Sequence, residues 1–186
     1  MITVAKFGGS SVASAEQFKK IKNIIEKDDS RRIVVVSALG KRFSGDNKIT
    51  DLLYLLSEHI RYGVDYTNIF NMITSRYEEI RKDLDLSIDL SIEFDKIKEN
   101  IGLGEQYIVS RGEYLCAKLM AVYLGFTFVD AADVVFFNYD GTLDDEKTAE
   151  AVKTAFATYG RIVVPGFYGA YPTGKVKLFS RGGSDI

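Results

Sequence analysis

A continuous apolar run, RRIVVVSA at residues 31–38, places the strongest constraint on the fold of this chain. Strands that are buried on both faces of a parallel sheet have such runs, whereas strands with one solvated face alternate apolar and polar residues. The β-rich segment ITVAKF at 2–7 predicts a preceding strand, and Ser14 is placed to cap a helix over 15–27 between the two strands. The apolar face of that helix contains Phe18, Ile21, Ile24 and Ile25. The three segments together predict a right-handed βαβ unit.

The remainder of the chain alternates helical and strand-like patterns. Apolar spacing predicts helices over about 49–103, followed by a long helix from about Glu105 to Leu124 that Gly125 ends. The segment RIVVPGFYG at 161–169 predicts another buried strand, and GKVKLFS at 174–180 predicts a strand or hairpin arm. This alternation predicts an α/β protein, a three-layer α/β/α sandwich with a mainly parallel sheet and a helical excursion at about 49–103.

The stretch after the long helix carries two further expectations. The segment FTFVDAADVVFFN at 126–138 predicts two short strands around an Ala-Ala-Asp turn. Asp144 or Asp145 would then cap a helix that runs to about Tyr159.

Composition excludes several classes of protein. The 186 residues suit one domain, or one domain and a piece of another. A net charge of −2 gives no broad basic surface for nucleic acid, and a single cysteine excludes an internal disulfide. The N-terminus has no signal-like segment, and no apolar run approaches the ~20 residues that span a membrane. We therefore expect a cytoplasmic protein with no nucleic-acid or membrane partner.

Two turns of similar composition are candidates for anion binding. KFGGSS at 6–11 and SRGGSD at 180–185 each place one cation, two glycines and hydroxyl groups after a predicted strand. Ligands of α/β sheets bind beyond the carboxyl ends of strands, and glycine lets backbone N–H groups approach phosphate oxygens. Each turn alone is equally compatible with an ordinary strand-to-helix connection, but the presence of two such turns favours a site.

The segment VSRGEYL at 109–115 is the third candidate. Gly112 lies inside a predicted helix, where glycine costs about 1 kcal/mol relative to alanine. Close packing and the approach of a small ligand both explain a glycine there. Glu113 lies at the border of the apolar face, where its carboxylate either binds an ammonium group or faces solvent.

Other sequence patterns argue against the common nucleotide-binding motifs, against a nucleophile–base pair and against a metal site. GAYPTGKV at 169–176 departs from the phosphate-loop motif, because Val176 replaces the magnesium-binding hydroxyl and the chain continues as a strand. GLGEQY at 102–107 lacks both the last glycine and the preceding strand of a dinucleotide motif. The only histidine, His59, and the only cysteine, Cys116, predict neither a nucleophile–base pair nor a metal site, and Cys116 is expected in the core. A phosphoryl transfer to a carboxylate needs no general base, since a carboxylate is already ionised at pH 7.

The motifs KFGGSSV, VVVSA, ITDLL, SRGEYL, PGFYG and SRGGSD resemble, in order and position, those of the aspartokinases in the amino-acid-kinase superfamily. The resemblance implies the amino-acid-kinase (carbamate-kinase-like) fold and ATP-dependent phosphorylation of the side-chain carboxylate of L-aspartate. The product would be 4-phospho-L-aspartate, at the entry to lysine, threonine and methionine biosynthesis. ATP with Mg²⁺ is the expected cofactor, and the sequence names no protein ligand for the metal.

The resemblance also implies roles for individual residues. Catalysis would depend on Lys6 and Asp185. The ATP phosphates would contact Lys6, Gly8, Gly9 and Ser10. The aspartate substrate would contact Ser37, Thr50, Glu113, Phe167, Arg181 and Ser184, with Glu113 holding its ammonium group.

Aspartokinases continue beyond the last of these motifs, into the segment that binds adenine and ribose and then into paired ACT domains. Residues 1–186 are therefore expected to be an N-terminal portion of the catalytic domain, with little activity alone and with apolar sheet surface exposed. The full-length protein would form a homo-oligomer through its regulatory domains.

Two alternatives remain open at the level of sequence. Another amino-acid kinase would phosphorylate glutamate or N-acetylglutamate, although Glu113 favours a substrate with a free ammonium group. A non-catalytic aspartate-binding fragment would bind the amino acid whether or not ATP is present.

Overall fold

The computed structural model describes residues 2–180, and its frame is a four-stranded parallel sheet. The strands are β1 (Thr3–Phe7), β2 (Arg31–Val36), β3 (Thr127–Phe128) and β4 (Ile162–Pro165), in the order β1-β2-β4-β3. Helix α1 (Ala15–Glu26) connects β1 to β2, and Ser14 Oγ accepts a hydrogen bond from the Gln17 N–H at 3.4 Å. The βαβ unit predicted from the apolar run is confirmed.

The helical excursion is also confirmed. It consists of α2 (Ile49–Arg61), α3 (Thr67–Asp83) and α4 (Leu90–Glu99), and the long helix α5 (Glu105–Leu124) follows it. Gly125 ends α5 in the left-handed conformation, with a φ of 69°, which glycine adopts without steric cost.

The segment 126–138 forms only one of its two expected strands. Residues Ala131–Val134 instead form the short helix α6, because the Asp130 side chain accepts the Ala132 N–H at 3.0 Å and caps a helical turn. Phe136 and Phe137 make only isolated β-bridges.

The C-terminal part of the described chain adds one helix and one hairpin. Helix α7 (Asp145–Tyr159) is capped by Asp144, whose Oδ1 accepts the Lys147 N–H at 3.0 Å. Strands β5 (Tyr168–Ala170) and β6 (Val176–Leu178) then pair in an antiparallel hairpin, so that 174–180 supplies the predicted hairpin arm.

Helices cover both faces of the sheet, as the alternation of buried residues along its central strands shows. Val34 and Val36 of β2 belong to the larger core, which α1 to α5 complete and which includes the buried Cys116. Ile162 and Val164 of β4 belong to a smaller core with residues of α6, α7 and β5. Successive side chains of a strand point to opposite faces, so these two cores define the three layers of an α/β/α sandwich.

The sheet face opposite the larger core is covered incompletely at β1. Val4 is 59% exposed there, and the half-buried Ile33 and Val35 line the same apolar groove of about 470 Å³. Among residues 2–180, no helix is long and apolar enough to cross a membrane.

Candidate active site

A cavity of about 540 Å³ lies at the carboxyl ends of β1, β2 and β4. It is bounded by the loops that follow these strands, by the first turns of α2 and by the middle of α5. Its lining consists of Gly9, Ser10, Ser37, Ala38, Leu39, Gly40, Lys41, Lys48, Thr50, Asp51, Tyr54, Glu113 and Phe167. This is the edge at which parallel sheets bind their ligands.

The loops after β1 and β2 pack directly on each other through glycine. The Gly40 N–H donates a hydrogen bond to the Gly9 carbonyl at 2.8 Å. A Cβ atom on Gly40 would lie 2.6 Å from that same carbonyl oxygen, so only glycine permits this approach. Gly8 differs, because a Cβ atom there would meet nothing within 4 Å. Packing does not require a glycine at position 8, and the exposed backbone at the end of β1 is open to a ligand.

Glu113 is the most unusual residue of the cavity wall. Its side chain is buried, and the Ala38 N–H donates a hydrogen bond to its carboxylate. Oε2 has no hydrogen-bond partner among the residues that the structure describes. Burial raises the pKa of Glu113 to about 8. A buried acceptor without a partner is uncommon in folded proteins, and a cation in the cavity would both satisfy it and favour its charged form.

Gly112 is explained by close packing, one of the two reasons considered from the sequence. A Cβ atom on Gly112 would lie 2.8 Å from Ala38 Cβ and 2.9 Å from Leu53 Cδ1. The end of β2 and helix α2 therefore contact α5 at this position. The buried Tyr77 hydroxyl of α3 donates a hydrogen bond to the Gly112 carbonyl at 2.8 Å and fixes the same turn of α5.

Phe167 holds its place in the wall with a strained backbone. Its φ of 71° lies in the left-handed region, which is uncommon for a residue other than glycine. The Phe167 carbonyl accepts the Phe179 N–H at 2.8 Å, and the Gly166 N–H donates to the Val36 carbonyl at 2.9 Å. Hydrogen bonds on both sides thus maintain the strained conformation, as is common at functional sites.

The structure brings six of the sequence-predicted site residues together in the cavity lining. They are Gly9, Ser10, Ser37, Thr50, Glu113 and Phe167. Lys6 and Gly8 lie outside this lining; Lys6 is exposed on the face of β1 opposite Ala5 and Phe7. Arg181, Ser184 and Asp185 lie outside the described residues.

Four polar residues of the lining were not predicted from the sequence: Lys41, Lys48, Asp51 and Tyr54. A signal for one of them, Tyr54, was present. Thr50 and Tyr54 are four residues apart at the start of α2, so they share a helix face. Lys41 and Lys48 belong to a loop whose path no local pattern indicates.

The described residues contain no group of three or more His, Cys, Asp or Glu side chains that could hold a metal ion. His59 is half-buried, and its Nδ1 lies 2.9 Å from the Asp65 carbonyl oxygen. An Mg²⁺ ion carried by a nucleotide would have phosphate and water oxygens as its main ligands and would need no such group.

Comparison with known proteins agrees with this fold. The sequence profile of the Amino acid kinase family matches residues 1–186, and the chain belongs to that family. Aspartokinase 3 of Bacillus subtilis is 32% identical over 98% of this chain and 44% of the relative. The crystal structure of Clostridium acetobutylicum aspartate kinase superposes with a TM-score of 0.95 and 46% identity, over 99% of this chain and 43% of that one.

A more distant structure supports the same assignment. Escherichia coli aspartokinase III, solved in complex with lysine and aspartate, is 26% identical with a TM-score of 0.80. The match covers 99% of this chain and 45% of that protein. The chain thus spans less than half of the length of each of these three relatives, all of which are aspartokinases.

Proposed function

We propose that this chain forms the aspartate-binding and phosphate-binding part of an ATP-dependent aspartate kinase. The reaction would transfer the γ-phosphoryl group of ATP to the side-chain carboxylate of L-aspartate and yield 4-phospho-L-aspartate. The observation that carries the proposal is the buried Glu113 carboxyl group in the cavity wall, whose Oε2 has no partner among residues 2–180. An amino-acid ammonium group is a cation of the size and charge that this position would bind.

The other residues of the lining suit the rest of an amino-acid substrate. The hydroxyl groups of Ser37 and Thr50 would donate hydrogen bonds to substrate carboxylates, and Phe167 would close the wall beside them. Arg181 and Ser184 are assigned by motif alone, and we expect the Arg181 guanidinium to pair with a substrate carboxylate.

The phosphate groups of ATP would lie at the glycine turn after β1. The backbone N–H groups near Gly8 and Gly9, together with Ser10, would contact phosphate oxygens, and Lys6 would stabilise the transferring phosphoryl group. Asp185 would fix the geometry of Lys6. Lys41 and Lys48 add positive charge to the same cavity, which suits the accumulated negative charge of ATP and aspartate.

The chemistry requires alignment and charge neutralisation more than proton transfer. The attacking aspartate side chain has a pKa near 4 in water and is ionised at pH 7. Mg²⁺ bound to ATP would supply further charge neutralisation. The protein's contribution is to hold the attacking carboxylate in line with the phosphoryl group.

The direct test uses the native-length gene product with ATP, Mg²⁺ and hydroxylamine, which traps an acyl phosphate as a hydroxamate. L-Aspartate, L-glutamate and N-acetyl-L-glutamate are compared as acceptors. We expect hydroxamate with L-aspartate only. Formation with another acceptor would reassign the substrate within the family, and aspartate binding without turnover would instead support a non-catalytic role.

The polypeptide of residues 1–186 is the matched comparison. Because it spans less than half of the length of its relatives, we expect it to give little or no hydroxamate under the same conditions. Turnover at the rate of the native-length protein would contradict this expectation. The family resemblance also predicts feedback inhibition by end products, through the ACT domains, and assembly into a homo-oligomer.

A further inference from the structure

Arg76 of α3 is a buried cation outside the cavity lining. Its guanidinium group contacts the backbone of the loops that form the cavity wall. Its side chain is only 6% exposed. Its Nη2 donates hydrogen bonds to the Gly40 carbonyl at 2.8 Å and to the Ala13 carbonyl at 3.2 Å. Its Nη1 donates to the Asn47 carbonyl at 3.1 Å and lies 3.0 Å from Asp46 Oδ2. Through these three carbonyl groups, one guanidinium group joins two separate stretches of backbone, the segment at 9–13 and the loop at 40–48.

Each of those stretches carries part of the cavity lining. Ala13 directly follows the short 3-10 helix Gly9–Val12, which begins at the glycine turn. Gly40 lines the cavity itself and donates its own N–H to the Gly9 carbonyl at 2.8 Å. Asn47 precedes Lys48, another residue of the lining. Arg76 thus binds the carbonyl group of Gly40, while the N–H group of the same residue binds the Gly9 turn.

Further ion pairs hold the Arg76 side chain in place and connect the loop at 40–48 to α3. Asp46 accepts hydrogen bonds from Arg42 Nε at 2.8 Å and from Arg42 Nη2 at 3.1 Å. Arg42 Nη1 also donates to Glu79 of α3 at 2.7 Å. Hydrogen bonds from Arg42 hold the pKa of Asp46 well below its ordinary value, so the carboxylate stays charged near neutral pH. The planar fork of an arginine is required, since an ammonium group on a lysine cannot reach four acceptors in this arrangement.

We propose that Arg76 is a positioning residue that sets the distance between the phosphate-binding glycine turn and the aspartate-binding wall. It acts through Gly40 and is not part of the cavity lining. This inference rests on the proposed function for its kinetic consequence. Its structural consequence, the ordering of the two loops, can be measured independently of activity.

The experiment compares Arg76→Lys and Arg76→Met with Arg81→Lys and Arg81→Met in the native-length protein. Arg81 is the control because it lies on the same helix and its side chain donates to Glu78 at 2.8 Å and to the Leu86 carbonyl at 3.5 Å, neither of which belongs to a cavity loop. Steady-state constants are measured for aspartate and for ATP, and the folded fraction of each variant is measured by thermal unfolding.

We expect Arg76→Met to lower kcat/KM for aspartate by about 100-fold, since displacements near 1 Å have effects of that order. The KM for ATP should rise as well, because Arg76 and Gly40 both connect the two loops. Arg76→Lys should recover part of the loss, and the Arg81 variants should match the wild type. A residue that only stabilises the fold would lower kcat in proportion to the folded fraction and leave both KM values unchanged. That result would overturn the proposal.

Hydrogen–deuterium exchange provides the readout that does not depend on activity. In Arg76→Lys, amides of residues 9–13 and 40–49 should exchange at least tenfold faster, while amides of β2 and β4 should be unaffected. Unchanged exchange in those loops would overturn the inference, even if the variant loses activity. If the wild type forms no hydroxamate, the proposed function fails, and the exchange experiment still decides whether Arg76 orders the two loops.

Discussion

At the scale of single residues, Glu113 illustrates a conflict between stability and ligand binding. Burial raises its pKa to about 8 in the folded protein, against about 4.5 for an exposed glutamate. Below pH 4.5 the group is protonated in both the folded and the unfolded states. Between pH 4.5 and about 8 only the unfolded state ionises, so the stability of the fold decreases as the pH rises and reaches its lower level above pH 8.

Glu113→Gln should remove this pH dependence. Between pH 6 and 8.5, we expect the wild type to lose on the order of 2 kcal/mol of unfolding free energy that the variant retains. Urea unfolding of both proteins at the two pH values measures the difference, and titrations elsewhere in the chain cancel in the comparison. Equal pH slopes would show that Glu113 ionises normally. In the hydroxamate assay, the same variant should lose at least tenfold in kcat/KM for aspartate, because an amide does not pair with an ammonium ion.

Gly112→Ala tests the packing of α5 against the cavity wall. Alanine is the better helix former by about 1 kcal/mol, but its Cβ would lie 2.8 Å from Ala38 Cβ. The crowding should prevail and destabilise the protein by about 1–2 kcal/mol, measured by thermal or urea unfolding. Gly102→Ala is the control, because a Cβ atom at Gly102 would meet nothing within 4 Å. A Gly112→Ala variant more stable than the wild type would mean that Ala38 and Leu53 move aside at little cost in free energy.

At the scale of elements, helix ends were predictable where one side chain or one glycine defines them. The ends of α5 follow from Gly104 and Gly125, and the start of α1 follows from Ser14. The sequence pattern at the start of α7 did not show whether Asp144 or Asp145 is the cap. Nor did it predict α6, because the capping bond of Asp130 outweighs the β propensity of the surrounding residues.

Substitution of the two aspartates separates their contributions to α7. Asp144→Ala should cost about 1 kcal/mol of unfolding free energy, because the Lys147 N–H loses its acceptor. Asp145→Ala should cost less, about 0.3–1 kcal/mol, which is the usual contribution of an acidic residue in the first turn to the helix dipole. Urea unfolding of the two variants gives the order directly. The reverse order would mean that Asp145 takes over the cap.

At the scale of the whole molecule, the exposed face of β1 should dominate the solution behaviour of residues 1–186. Val4 is 59% exposed beside an apolar groove, and apolar patches of this kind promote association. We expect the polypeptide 1–186 to bind the dye ANS and to self-associate in sedimentation experiments. Val4→Thr should reduce both effects without lowering stability, because Val4 contributes little to either core. Val34→Thr, at a fully buried position of the same sheet, should instead destabilise the fold.

The sequence by itself determined most of the order of elements and the parallel sheet. These follow from local causes: the apolar run of β2, the glycines that end helices, and turns that must lie at one edge of a parallel sheet. Of the six predicted residues that line the cavity, Ser37, Thr50 and Phe167 were assigned by the resemblance to the aspartokinases and not by a local pattern. Only the tertiary structure decided that Glu113 is buried with one oxygen lacking a partner among residues 2–180, and that Gly112 serves packing. It also decided that Arg76, 36 residues from Gly40 in the chain, supports the cavity from behind. Burial and long-range contacts depend on how the helices pack against one another and against the sheet, and no local pattern of residues specifies that packing.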